Sequence, residues 1–436
     1  MRELSDTTRR QSRKKRLAFG AMATLIVLSV VELTSWIAIN VITADGLKAI
    51  HTVQDGLAIG GGGSGSLNET VHPYLGWVMN PETCPPTVVG GRSIPVNQFG
   101  FNDEEQPLPK RSADRLIVGF VGGSVAWQMS VQGESAFRAA LRQNPSWRDR
   151  ELRVVRLAMP GFKQPQQLMA VNYLLALGAE FDVIVNIDGY NEIALSACEN
   201  EKSGVFAAYP RMWHARMLDV VDPRVSANSF RLLRIRAARQ ELARGIRESW
   251  FRWSPTFNLV WKIRDSCAER QLLDLAASLA EHKAGQGRGF AADGPRQFYT
   301  DENGLFDHLR DLWSNSSLQI HYLCRGNGTK YLHVLQPNQY LPGSKRLSAL
   351  EREKMFSENQ DYGKAIERGY PLLLEDGIRL RAQGVDFHNM TMLFAAVDEP
   401  VYADEYCHFN ARGNEILARA VAEAIIDAFG STADHK

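Results

Sequence analysis

A handful of residues in this chain could, if brought together, do acyl chemistry. Ser124 ends the run Arg115-Leu-Ile-Val-Gly-Phe-Val-Gly-Gly-Ser124, which breaks at two glycines just before the hydroxyl. A serine becomes a nucleophile when an imidazole takes its proton, and that imidazole needs an acid to fix its tautomer. His408 lies near the C-terminus, with Asp404 and Glu405 just before it. The oxyanion formed by attack on an ester needs donors already in place. The backbone N–H groups of Ser124 and Gly161 and the side-chain amide of Asn191, in Gly189-Tyr-Asn191, would supply three. Each residue alone also fits a structural role. Gly161 beside Pro160 suits a turn, Asn191 a helix N-cap, and His408 a packed imidazole. Together they complete one mechanism.

The elements that must position them alternate between strand and helix, the pattern of a parallel sheet flanked by helices. Strands are expected over 115–121, 152–157, 182–187 and 330–335, with a fifth from Val385 into Phe387 and the segment 391–394 along an edge. Helices are expected near 134–143, 165–178, 305–323 and 365–383, with a terminal amphipathic helix after His408. Ser124, Gly161 and Asn191 each follow the carboxyl end of a strand, the rim where open α/β sheets bind ligands. After the third strand the alternation stops, and 197–324 carries two long amphipathic helices (227–250 and 256–283), an insertion expected to act as a helical cap.

The 436 residues have a formal net charge of +1, which implies no nucleic-acid-binding surface. That charge is uneven. Residues 1–16 carry seven Lys/Arg against Glu3 and Asp6, and the next stretch, Leu17 to Ile42, is almost wholly apolar. It exceeds the ~20 residues that a membrane-spanning helix needs, and it is too long for a signal-peptide core of ~7–15. The expectation is an uncleaved single-pass anchor over 17–43, with its basic flank (1–16) in the cytoplasm and the rest periplasmic or extracellular. Glu32 lies inside that span, either tolerated there or making a helix–helix contact. A flexible spacer (44–70) ending in Gly60-Gly-Gly-Gly-Ser-Gly-Ser66 and an N-terminal extension (71–114) precede the sheet. Five scattered cysteines without a Cys-x-x-Cys pair argue against a zinc site or a dense disulfide framework, and no metal or cofactor is expected.

Gly122-Gly-Ser124, Gly161, Gly189-x-Asn191 and an acid before His408 come in the order of the four blocks of the SGNH/GDSL-type hydrolase family. The chain resembles that family over roughly 72–196 and 325–430. The phrases His72-Pro-Tyr-Leu-Gly76, Leu335-Gln-Pro-Asn338 and Cys407-His-Phe-Asn410 are similar to those of membrane-anchored members. The resemblance implies a flavodoxin-like three-layer α/β/α sandwich with a five-stranded parallel sheet in the order 2-1-3-4-5, its catalytic domain split between 115–196 and 325–430. It also implies Ser124 as nucleophile, His408 as base, and Ser124, Gly161 and Asn191 as the oxyanion hole. Two positions depart from the family pattern. Gly123 stands where many members have Asp, and the usual acid register, three before the His, is Glu405. Asp404 keeps the residue type at the cost of one inserted residue. Both carboxylates stay open, with Asp404 preferred because a loop absorbs an insertion. The expected activity is hydrolysis of acyl esters, such as O-acetyl groups on envelope glycans. The alternatives are O-acyl transfer to a polysaccharide from the same site, or a non-catalytic tethered scaffold.

Overall fold

A computed structural model of the protein describes residues 2–43, 45–58, 68–221, 223–285, 290–295, 297 and 299–430. The glycine-rich tether expected over 60–66 lies outside the described residues. In chain order the main helices are α1 (Arg2–Ile42), α2 (Gly46–Ala58), α3 (Ser124–Gln132), α4 (Glu134–Leu141), α5 (Gln166–Ala176), α6 (Pro223–Glu248), α7 (Pro255–Gly285), α8 (Glu302–Gly326), α9 (Asp361–Ala382) and α10 (Ala411–Phe429). The central strands are β1 (Arg115–Gly122), β2 (Glu151–Arg156), β3 (Val183–Asp188), β4 (Lys330–Leu335) and β5 (Asp386–Asn389).

The chain divides into two compact units, one of residues 65–217 and 288–436, the other of 1–64 and 218–287. In the first, all five strands are parallel and lie in the order β2-β1-β3-β4-β5. This is an α/β fold with the expected strand order. β1 is central, with Val118 opposite Val154 on one side and Val183 on the other. A central parallel strand is covered on both faces, which is why β1 and β3 read as continuous apolar runs rather than alternating ones. Ile117, Val118, Phe120 and Val121 are fully buried, and each such side chain contributes about 1.5–3 kcal/mol of transfer free energy. Helices flank the sheet, with α10 packing on α3 and α4, and α8 packing on α5 and α9.

Some elements differ from the sequence expectation. A nine-residue helix, α3, starts at Ser124 itself, before the helix expected near 134–143. Gly133 separates the two, and a Cβ there would stand 2.6 Å from the Asn414 carbonyl oxygen and from Ala418 Cβ. The chain breaks at this glycine because α10 passes against its backbone. Thr391–Phe394 turns after β5 instead of extending along it. Asn191 opens a π-helix, Asn191–Asn200, so it is inside a helical element rather than capping one.

The N-terminal extension forms two short antiparallel hairpins, Glu69–His72 with Gly76–Met79 and Thr87–Val89 with Arg92–Ile94. Trp77 from this extension is buried edge-on against Phe162, at 5.3 Å between ring centroids. Asp103 pairs with Arg156 at the end of β2 (Nη1 to Oδ1, 2.7 Å), both fully buried, and Arg156 also reaches Glu134 and the Ser130 carbonyl. The extension is therefore clamped next to the loops that leave β1 and β2.

In the other unit, residues 46–58, within the expected spacer, are helical as α2. The insertion expected as one cap over 197–324 is divided, since 218–287 joins the N-terminal helices. The apolar stripes of α6 and α7 pack on α1 and α2 through Ile39, Ile50, Ala243 and Trp261. One described helix, Ala18–Ile42, is long and apolar enough to cross a membrane. All five cysteines are free thiols.

Candidate active site

Ser124 is the first residue of α3, directly after the carboxyl end of β1. Its N–H is one of those that an α-helix leaves without an intrahelical partner, and the helix dipole adds partial positive charge there. Gly122 (φ +140°) makes the turn possible, because a Cβ would stand 2.2 Å from the Ile187 carbonyl oxygen of β3. The serine is thus presented on a tight strand-to-helix corner.

His408 comes from the loop before α10 and reaches Ser124, with Nε2 2.7 Å from Oγ. Its Nδ1 contacts Asp404 Oδ2, so serine, imidazole and carboxylate stand in one line. The other carboxylate oxygen, Asp404 Oδ1, accepts the backbone N–H groups of Tyr406 (2.9 Å), Cys407 (3.2 Å) and His408 (3.3 Å). Burial pushes the Asp404 carboxyl up, but the His408 hydrogen bond and charge and the backbone N–H groups outweigh it, and the group is held below its ordinary value. Glu405 follows a different course, its backbone carbonyl accepting from Tyr340 Oη (2.8 Å). Between the two carboxylates, the contact with the ring belongs to Asp404.

Gly161 and Asn191 stand on the loops that follow β2 and β3. Gly161 adopts φ +88°, a backbone that favours glycine. Asn191 Nδ2 donates to the Phe162 carbonyl (2.7 Å), leaving the second N–H of that amide for another acceptor. The amide lies against the serine turn, because a Cβ on Gly123 would stand 2.2 Å from Asn191 Nδ2. This gives a physical reason for glycine at 123, where an Asp side chain would collide with the Asn191 amide. Ser124, His408, Asp404, Asn191 and the Gly161 loop are thus brought to one rim of the sheet, and Glu405 stands aside from the imidazole.

Several residues behind this rim carried no sequence signal. Glu192 is fully buried and accepts from Gly189 N (2.8 Å), Gln164 N (3.1 Å) and Gln167 Nε2 (2.8 Å), tying the loops after β2 and β3 together. Burial, then the neighbouring Asp188 charge, push its carboxyl up. Asp188, at the end of β3, meets His333 Nε2 (2.9 Å), Trp313 Nε1 (2.7 Å) and Asn186 Nδ2 (2.8 Å). Burial opposes its charge, but these partners hold Asp188 low. Half-buried Tyr362 lies between buried Tyr190 and exposed Tyr406, with ring centroids 6.5 and 5.7 Å away. No group of three or more metal-ligating side chains occurs among the described residues.

No family model matches the chain, and no curated protein matches it. Solved structures similar to it include a GDSL-like lipase from Bacteroides thetaiotaomicron and the acetyl xylan esterase AlAXEase. The lipase is 11% identical, with 74% of this chain and 92% of that chain covered and a TM-score of 0.33. The esterase is 12% identical, covers 72% of this chain and 100% of its own, and gives a TM-score of 0.32. Likenesses of this size say nothing about chemistry, so function is read from the side chains themselves.

Proposed function

We propose that this chain is a serine ester hydrolase of the SGNH type, anchored through residues 17–43 with its catalytic unit outside the cytoplasm, and acting through an acyl-enzyme on Ser124. The observation that carries the reading is the continuous contact from Asp404 through His408 to Ser124 Oγ. Ser124 Oγ attacks the ester carbonyl while its proton passes to His408 Nε2. The oxyanion is received by the Ser124 and Gly161 N–H groups and the free N–H of Asn191. As the alcohol leaves, it takes the proton back from Nε2. Water then repeats the sequence, its proton going to His408, and the carboxylic acid departs from Ser124. Asp404 keeps the Nδ1 proton in place and stabilises the imidazolium at each stage.

Exposed Tyr406 beside His408 and half-buried Tyr362 next to it favour an O-acylated sugar over a lipid ester, because flat rings with polar edges suit sugar faces. The basic flank and apolar helix at the N-terminus support the membrane anchor and its orientation.

The test is active-site labelling of the full chain with a fluorophosphonate, followed by release assays on O-acetylated oligosaccharides. Labelling that disappears in Ser124→Ala, with free acetate as product, is the expected result. A folded, unlabelled wild-type chain would sink the nucleophile assignment. Acetylated acceptor sugar in place of acetate would turn the reading to acyl transfer.

A further inference from the structure

From Ala18 to Val31 the apolar helix α1 is exposed on every side, and packing begins only at Glu32. There it meets the tip of the α6–α7 hairpin. Ser254 Oγ donates to Glu32 Oε1 (2.5 Å), the Thr256 backbone N–H donates to Glu32 Oε2 (3.1 Å), and Thr256 Oγ1 bonds Ser35 Oγ (3.1 Å). An ionisable group inside an apolar span is costly unless paired, and here its partner is the first turn of α7. The tip itself carries large apolar side chains with no cover. Trp250 is 82% exposed and Trp253 75%, with Phe251, Phe257, Val260 and Ile263 also exposed.

The depth of this tip follows from helix geometry. At ~1.5 Å per residue, Ala18 to Glu32 rises roughly 21 Å, while a hydrocarbon core is ~30 Å thick. If α1 spans the membrane from Ala18, Glu32 and the hairpin tip stand about 9 Å inside the outer edge. α7 gives the same boundary independently. It runs alongside α1 with Trp261 packed beside Ile39, and its first charges after the tip, half-buried Lys262 and exposed Arg264, come ~9 and ~12 Å beyond Thr256. The arginines at the tip are paired, Arg252 with Asp55 at 2.9 Å and Arg247 with Asp55 at 3.4 Å. Aromatic rings with paired or snorkelling charges at this depth are what the boundary between headgroups and acyl chains accommodates.

We propose that the hairpin tip, Trp250 to Phe257, is embedded in the outer leaflet of the membrane that α1 crosses, so that the helical unit sits in the bilayer as a second, monotopic contact. This rests on the reading of α1 as a spanning anchor. The alternative occupant, the same tip of a second copy, is an outcome of the test.

The experiment reconstitutes the full chain, carrying Trp36→Phe to silence the anchor's own indole, into phosphatidylcholine–phosphatidylglycerol vesicles whose acyl chains bear bromine near the headgroup end. Tryptophan fluorescence is expected to show a quenched component that is lost when Trp250→Phe and Trp253→Phe are added. Phenylalanine keeps the apolar contact while removing the fluorophore, so folding and seating are undisturbed. Carbonate extraction of the same vesicles tests the anchor separately. A chain that resists extraction but shows no quenched component overturns the seat alone, and one released by carbonate overturns the anchor and the seat with it. A dimer in detergent that Trp250→Ser with Trp253→Ser converts to monomer, without quenching in vesicles, assigns the tip to a second copy and overturns the proposal.

Discussion

Replacing Asp404 by Asn isolates the orientation of the base from everything else in the site. The Asn Oδ1 can keep the three backbone N–H groups of Tyr406, Cys407 and His408 that Asp404 Oδ1 now accepts, so the loop has no reason to move. The Nδ2 of the new amide then faces His408 Nδ1. Two N–H groups cannot point at one another, so the imidazole proton shifts to Nε2 and is aimed at Ser124 Oγ, 2.7 Å away. In that tautomer the ring cannot take the serine proton, and the carboxylate that would stabilise the imidazolium is gone. Loss of one charge-assisted hydrogen bond accounts for ~1.5–3 kcal/mol, and the wrong tautomer adds to it. Together they predict a fall in turnover of about 10³–10⁴, or ~4–5.5 kcal/mol. Hydrolysis of p-nitrophenyl acetate and the rate of fluorophosphonate labelling measure it, with a thermal melt to show that the fold is intact. Glu405→Gln, assayed in parallel, should leave both rates unchanged. Asp404→Asn keeping more than about a tenth of the wild-type rate, or Glu405→Gln losing as much as Asp404→Asn, would refute the assignment of the acid.

Four other outcomes follow from the same contacts. Asn191→Ala should lower turnover by about 10²–10³ with little change in the thermal melt, as removal of one oxyanion donor does, and Gly123→Ala should lower it by displacing the Asn191 amide. Asp103→Ala leaves Arg156 buried without one of its carboxylates and should cost about 3–5 kcal/mol in chemical denaturation, with the active-site contacts otherwise retained. Because Asp404 is held below its ordinary value, its contribution to stability is present above that value and is lost as pH falls through the depressed one; melts of Asp404→Asn should therefore show a shallower acid-side decline below about pH 4 than wild type.

Much of the sheet was legible because its strands are short, apolar and bounded by glycine or proline, and the site residues lie at their carboxyl ends. Two carboxylates one residue apart were harder to separate. Which one meets the ring depends on the loop's turn, and there Asp404 draws three backbone N–H groups to one oxygen. Helix α3 has Gly123 as its N-cap, with no side chain to mark the start, and its end is set by the approach of α10 to Gly133. The pairing of α6 and α7 with the N-terminal helices had no local trace, since an amphipathic stripe does not name its partner. Glu192 escaped notice for the opposite reason. A lone acid next to Asn reads as solvated, and its burial arises from loops distant in sequence.

The position of Glu192 has a consequence for how the site can change. One carboxyl group holds Gly189 on one side and Gln164 and Gln167 on the other, so it couples the segments that carry Asn191 and Gly161, alongside the Asn191–Phe162 hydrogen bond. Substitutions on either loop are then expected to be epistatic, each altering the cost of the other. Changes to acyl-group preference that need both loops to shift would have to arise together, or pass through an intermediate in which Glu192 has lost its partners on one side.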